Sequence, residues 1–201
     1  MTVLRDKGGL WSPVVTRVEH KGRPAVLKDY RRKNLFTRRF LAPRLVRREF
    51  ELLRQLEGIR GIPRAYAILD RSALVLEYVE GRTFSKFHAG ELPDPVFHRL
   101  AALVGEIHDR GVVHLDLRQK KNILVTSDGV PYLIDFAGAV RRSGLARVVW
   151  ERLVSVDEGA LLKFKLRNFP HLVTDSDREA YRKFLRLRRL WLFTPRGRHS
   201  R

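Results

Sequence analysis

The chain has 201 residues, 41 Lys and Arg against 22 Asp and Glu, and a formal net charge of +19. With 44% hydrophobic and 9% aromatic residues it carries enough apolar side chain for a core, so wholesale disorder is excluded despite the charge. The absence of cysteine excludes disulfides, cysteine-based zinc sites and thiol catalysis, and fits a reducing compartment.

In chain order, the opening predicts strands. Val14, Val15 and Val18 follow a Gly8-Gly9 turn, and a second turn at Lys21-Gly22-Arg23-Pro24 leads into Ala25-Val26-Leu27-Lys28, the pattern of a hairpin. Residues 44–57 predict a helix: Leu45, Val46, Phe50, Leu52, Leu53 and Leu56 recur at helical spacing, Pro43 suits a first position and Gly58 a stop. The apolar run Ala73–Val79 predicts a buried strand that ends at Glu80-Gly81. After Pro93 and Pro95, Phe97, Leu100, Leu103, Val104 and Ile107 share one helical face, and Gly111 follows the helix end. Ile123-Leu124-Val125 and Tyr132-Leu133-Ile134 then flank a Ser127-Asp128-Gly129 turn as two short strands.

The tail predicts helices, with Ser155-x-x-Glu158 and Ser176-x-x-Glu179 in capping-box form. Tyr181, Phe184, Leu185, Leu187 and Trp191 partly line one side of the last helix, and Pro195 ends it. Arg182, Lys183, Arg186, Arg188 and Arg189 share that helix, so it reads either as a basic amphipathic helix for an anionic membrane or as a terminal helix packed by its apolar face. Strands with one helix, then helices with a small hairpin, make an α+β chain in two lobes joined near residues 79–83.

A charge of +19 calls for a polyanion: nucleic acid, an anionic membrane, lipopolysaccharide, an acidic partner or nucleotide phosphates. The charge is uneven. Residues 28–48 carry nine basic side chains and one acid, Asp29, and residues 180–201 carry eight and no acid. The first twenty residues hold no apolar run of signal-peptide length, and no stretch approaches the ~20 apolar residues of a membrane span. The expected location is cytoplasmic, with a peripheral place at the inner membrane face also open.

Chemistry concentrates in His114-Leu115-Asp116-Leu117-Arg118-Gln119-Lys120-Lys121-Asn122 and in Asp135, thirteen residues further on at the end of a strand. One carboxylate can orient or deprotonate a hydroxyl, while an Asn oxygen and a second carboxylate suit Mg²⁺, a hard cation that prefers oxygen ligands. The seven histidines show no metal-ligand spacing.

This set resembles the catalytic loop and metal motif of protein-kinase-like phosphotransferases, with His114, Asp116 and Asn122 matching H-R-D-L-x-x-x-N and Asp135-Phe136-Ala137 matching D-F-G. Ala25–Lys28 resembles the family's V-A-I-K strand, Arg48–Leu53 the helix with the paired glutamate, and Leu76–Gly81 the hinge that offers backbone groups to adenine. The resemblance implies a minimal bilobal kinase-like domain with an N-lobe of 1–80 and a C-lobe of 81–201. It implies that Lys28 contacts the ATP phosphates and is held by Glu49, with Glu51 as the alternative partner. By the same resemblance Asp116 would be the base or the hydroxyl-orienting group, and Asn122 and Asp135 would hold Mg²⁺ or Mn²⁺. It further implies that Val26, Gly8, Gly9, Glu77, Tyr78 and Val79 border the nucleotide and that His114 braces the neighbourhood of Asp135.

Several departures point to a reduced member. Six steps separate Asp116 from Asn122 instead of five, so the extra residue sits within Leu117–Lys121, where a local bulge could absorb it. Ala137 replaces glycine, only Gly8-Gly9 stands where a glycine-rich loop would be, and no A-P-E motif follows Asp135. The plan resembles small atypical kinases, namely the RIO-type kinases, the small tRNA-modification-complex kinase and the bacterial lipopolysaccharide-core Kdo and heptose kinases. Such a protein is expected to move the ATP γ-phosphate to a protein Ser/Thr or a lipopolysaccharide-core sugar hydroxyl. The alternatives are a kinase-fold ATPase or scaffold on RNA, ribosome or anionic membrane, and a nucleic-acid binder of another kind.

Overall fold

In a computed structural model, residues 2–5 and 12–189 are described. Five antiparallel strands form the N-terminal sheet: β1 (Thr2–Arg5), β2 (Val14–His20), β3 (Arg23–Asp29), β4 (Ala65–Asp70) and β5 (Ala73–Glu77), in the order β1-β2-β3-β5-β4. The β2–β3 hairpin turns on Lys21 and Gly22, both at positive φ, the geometry whose twist matches paired strands. Gly8, Gly9, Trp191 and Pro195 lie outside the described residues.

Helix α1 (Ala42–Gln55) follows a π-type turn over Thr37–Leu41 and buries Val46, Glu49, Leu52 and Leu53. Beyond β6 (Arg82–Thr83) come α2 (Asp94–Asp109), β7 (Val112–Val113), β8 (Ile123–Val125), β9 (Pro131–Leu133), β10 (Val140–Arg141), α3 (Leu145–Val148), α4 (Trp150–Asn168) and α5 (Asp175–Arg189). The molecule is bilobal, with a β-rich N-lobe carrying α1 and a mainly helical C-lobe. Here β10, α3 and α4 follow Asp135 directly, in place of a long activation segment and a peptide-docking helical subdomain.

One hydrophobic core runs through both lobes, joining Leu52, Leu56 and Leu74 to Leu103, Ile107 and Leu133. Hydrogen bonds reinforce the joint: Leu133 N–H donates to the Gly61 carbonyl at 2.9 Å, and the Gln55 side chain donates to the Arg110 carbonyl at 2.6 Å. Gly61 has φ +104 and packs against the Pro131 carbonyl, so no side chain fits there.

Both capping boxes are corrected. Ser155 lies inside α4, where its hydroxyl donates to the Arg152 carbonyl, because the helix already starts at Trp150. Ser176 lies in the first turn of α5, and the reciprocal cap is one step away: Thr174 N–H donates to Asp177 Oδ2 at 2.8 Å and Asp177 N–H to Thr174 Oγ1 at 3.2 Å. Lys165 also bonds Asp177 at 2.7 Å, and the Lys165 and Thr174 hydrogen bonds hold the Asp177 carboxyl down at about 2. Helix α5 packs on α4, with the Phe184 ring seated on Gly159. Strand β4 was not anticipated from sequence; its residues are half-buried or exposed, so it has no buried apolar run. No helix among the described residues is long and apolar enough to cross a membrane.

Candidate active site

Strand β3 alternates sides, so Val26 and Lys28 share one face, and the sheet presents that face towards α1. Lys28 Nζ donates to Glu49 Oε1 at 2.6 Å and to Asp135 Oδ1 at 2.9 Å. Lys28 and Glu49 are almost fully buried, whereas the Asp135 side chain keeps 23% of its surface. Burial alone would push the Lys28 ammonium down, but Glu49 and Asp135 outweigh it and hold it above the ordinary lysine range. Glu49 also accepts the Phe136 N–H at 3.2 Å, so one carboxylate ties α1 to the residue after Asp135. Glu51, the alternative partner, points away and pairs with Arg47 on the surface.

The loop after β7 brings the other polar groups in. Asn122 is buried, and its Nδ2 donates to the Asp116 carbonyl at 3.1 Å and to Asp116 Oδ2 at 2.9 Å. With its amide nitrogen spent there, Asn122 has its Oδ1 as the atom able to serve as a hard ligand. Gln119 donates to both Asp116 oxygens, at 2.6 and 2.5 Å. The extra loop residue is absorbed by two tight turns: Gln119 N–H returns to the Asp116 carbonyl and Asn122 N–H to the Gln119 carbonyl, at 3.2 and 2.8 Å. Leu115 and Asp135 both adopt left-handed backbone, φ 63 and 67, a conformation that costs non-glycine residues energy and concentrates at functional sites. Ala137 sits in a short 3₁₀ turn outside the positive-φ region, so that position needs no glycine.

His114 is buried against Phe136, with ring centroids 4.7 Å apart, and its Nε2 faces the Ile134 carbonyl at 3.1 Å. Burial pushes its pKa down, only partly offset by Asp157, so the imidazole is neutral near pH 7 and donates through Nε2. It braces the strand that delivers Asp135, as expected.

Sequence reasoning missed Asp157. This fully buried carboxylate on α4 accepts the N–H groups of His114 and Leu115 at 2.7 and 2.8 Å and faces His108 Nε2 at 3.1 Å. It thereby anchors the backbone just before Asp116. The available signal was an acid spaced three, four and seven residues from Val154, Leu153 and Phe164, on the apolar side of its helix.

At the hinge, Glu77 and Tyr78 have already committed their N–H groups, to the Arg64 carbonyl at 2.8 Å and the Pro24 carbonyl at 3.4 Å. The Val79 N–H makes neither of these bonds. Lys120 of the loop turns to Asn168 Oδ1 at 3.0 Å, and burial lowers its pKa.

Among the described residues no cluster of three acids or histidines forms a self-sufficient metal cage. Asn122 and Asp135 nevertheless fit magnesium in a nucleotide site, where the ion takes one or two protein oxygens and completes its shell with phosphates and water.

The RIO domain family model matches residues 16–186. Among curated proteins, the chain is 33% identical over 112 residues to CBL-interacting protein kinase 16 of Oryza sativa subsp. japonica, covering 50% of this chain and 24% of that protein. It is 30% identical over 109 residues to serine/threonine-protein kinase D of Synechocystis sp. (strain ATCC 27184 / PCC 6803 / Kazusa), covering 51% and 21%. The chain therefore spans less than a quarter of the length of these relatives. Among solved structures, it resembles the Rio2 kinase from Chaetomium thermophilum, with TM-score 0.66, 21% identity and coverage of 90% of this chain and 62% of that one. The ADP/Mg²⁺-phosphoaspartate complex of the same kinase gives TM-score 0.62, 22% identity and coverage of 90% and 61%. At these identities the likeness shows the fold.

Proposed function

The chain belongs to the RIO domain family of kinase-fold, ATP-binding proteins, and from that premise we propose that it is a Mg²⁺- and ATP-dependent phosphotransferase acting on a hydroxyl. The observation that carries the reading is the bond of Lys28 to both Glu49 and Asp135, residues 21 and 107 positions away, at the seam of the lobes. An ammonium has three donors. Two are spent on Glu49 and Asp135, which aim the third, and the charge, at bound phosphates. Val26 borders the adenine and the hinge carbonyls of Glu77 and Tyr78 meet its edge, with Val79 offering an N–H. Magnesium or manganese, held by Asn122 and Asp135, would supply charge neutralisation on the phosphates.

Asp116 orients the acceptor hydroxyl and takes its proton as the oxygen–phosphorus bond forms and the β–γ bridge breaks. Asn122 and Gln119 fix the rotation of the Asp116 carboxylate, and Asp157 fixes the backbone beneath it. Positioning of this kind is most of what phosphoryl transfer requires of a protein. The acceptor is a protein Ser/Thr or a lipopolysaccharide-core sugar hydroxyl. The short path from Asp135 to α4 favours a compact acceptor or a folded surface over an extended peptide.

Labelled-ATP transfer, with wild type and Asp116→Ala offered protein, lipopolysaccharide core and RNA side by side, tests this. Asp116→Ala should lose roughly 10²–10⁴-fold in transfer while retaining nucleotide affinity. Asp135→Ala should lose Mg²⁺-dependent nucleotide binding. Wild-type transfer by Asp116→Ala would refute the base assignment, and ATP hydrolysis without labelled acceptor would select the ATPase or scaffold reading.

A further inference from the structure

Residues 31–48 and 136–150 contain no Asp or Glu, although the intervening chain holds many. The fold brings these two segments together beside the site. Arg48 donates to the Ala139 carbonyl, and Arg48, Glu51, Val140, Arg141, Ser143 and Ala146 line a common hollow of about 320 Å³. Glu51 is the acid of this hollow, and Arg47 already pairs with it.

Large apolar side chains stand out from both segments. Leu145 and Val148 on α3 are 88% and 84% exposed, and Leu35, Phe36 and Phe40 before α1 are 66%, 62% and 50% exposed. The π-type turn runs unbroken into α1, so Phe40, Arg44 and Arg48 succeed one another a turn apart, with Arg44 donating to the Phe40 carbonyl at 2.7 Å. Arg38, Arg39, Arg141 and Arg147 are exposed in the same two segments. Neither set packs into the core, and burying such groups in water-free surroundings is favourable wherever a partner supplies them.

We propose that this face docks peripherally on an anionic lipid bilayer. The arginines meet headgroup phosphates, for which a guanidinium fork is suited, while Leu145, Val148, Leu35, Phe36 and Phe40 enter the boundary with the acyl chains. Interleaved cations and exposed aliphatic side chains select this occupant. Leu35, Leu145 and Val148 are 66%, 88% and 84% exposed and offer a base no aromatic face to stack on, whereas acyl chains accept aliphatic and aromatic side chains alike. The surface is separate from α5. Its hollow begins at Val140, five residues beyond Asp135, so docking would bring the catalytic cleft close to acceptors at the bilayer surface. The docking itself does not depend on the phosphotransfer reading.

The test is co-sedimentation of the full chain with vesicles of phosphatidylcholine plus phosphatidylglycerol, against pure phosphatidylcholine and a single-stranded oligouridylate. Wild type should partition to the anionic vesicles and leave them as salt rises. Leu145→Ser/Val148→Ser should weaken partitioning at least about tenfold, and Arg141→Gln/Arg147→Gln roughly tenfold, with unchanged melting because all four side chains are exposed. Phe36→Ser/Phe40→Ser supplies a second apolar variant if the first fails to fold. No partitioning by wild type overturns the proposal. So does partitioning that survives both apolar variants, or oligouridylate binding lost in the arginine variant without any vesicle binding. Sedimentation is read without ATP, so its failure and a failure of transfer are distinct results.

Discussion

Replacing Lys28 by methionine removes the cation shared by Glu49 and Asp135 while keeping much of its length and apolar stem. At 2.6 and 2.9 Å, with an effective dielectric of ~20, each contact carries about 6 kcal/mol of gross Coulomb attraction. Desolvation of the buried ions offsets most of this, so the intact cluster adds little net stability. The broken cluster is costly, because Glu49 at 2% exposure cannot reach water, whereas Asp135 at 23% can. Leaving such a charge unpaired costs about 3–5 kcal/mol. For a chain of this size that is a fall in melting temperature of roughly 6–20 °C.

Lys28→Met/Glu49→Gln should recover at least half of that loss, since the amide oxygen still accepts the Phe136 N–H without a stranded charge. The Lys28 pKa is raised in the fold, so its contribution is fully present below the ordinary lysine range and is lost only as pH rises above it. The stability difference between wild type and Lys28→Met should therefore be flat across neutral and mildly alkaline pH. Melts followed by circular dichroism measure this, and nucleotide titrations of both variants should show affinity lost in each. A single variant that melts like wild type, or a double variant no more stable than the single, would refute the buried-charge argument.

Asp157→Asn retains the shape but weakens charge-assisted bonds worth about 1.5–3 kcal/mol. The amides of His114 and Leu115 should then exchange hydrogen roughly ten- to a hundredfold faster, with transfer reduced and nucleotide affinity kept; unchanged exchange would deny Asp157 its anchoring role. Gly159→Ala would gain about 1 kcal/mol of helix propensity on an open face. Here its methyl overlaps the Phe184 ring, so the expected result is net destabilisation relieved by Phe184→Leu, and a stabilised variant would contradict the packing of α5 on α4. His114 is held neutral by burial, so stability should be full above the ordinary histidine range and decline as pH falls below it. A His114→Gln variant should show a shallower loss between about pH 7 and 5 in parallel melts, and identical slopes would assign the pH dependence to other groups.

The order of elements was legible in the chain because periodicity and turn residues are local signals. The apolar spacing of 97–107, the Lys21-Gly22 turn and the polar cluster at 114–135 each reflect interactions among near neighbours. Those residues sufficed for the kinase-like resemblance and for naming Lys28, Glu49, Asp116, Asn122 and Asp135. Tertiary structure decided what local pattern leaves open. Glu49 and Glu51 differ by two positions, hence by opposite sides of one helix, and only the packing of α1 against the sheet buries the first beside Lys28. Thr174 and Asp177, rather than the serine boxes, cap α5 because the helix starts where α4 and its Lys165 allow it to dock. Asp157 looks like a misplaced charge in an apolar stripe until the loop carrying His114 and Leu115 folds over it. Each of these outcomes depends on partners distant in the chain, whose placement is set by burial of a shared core.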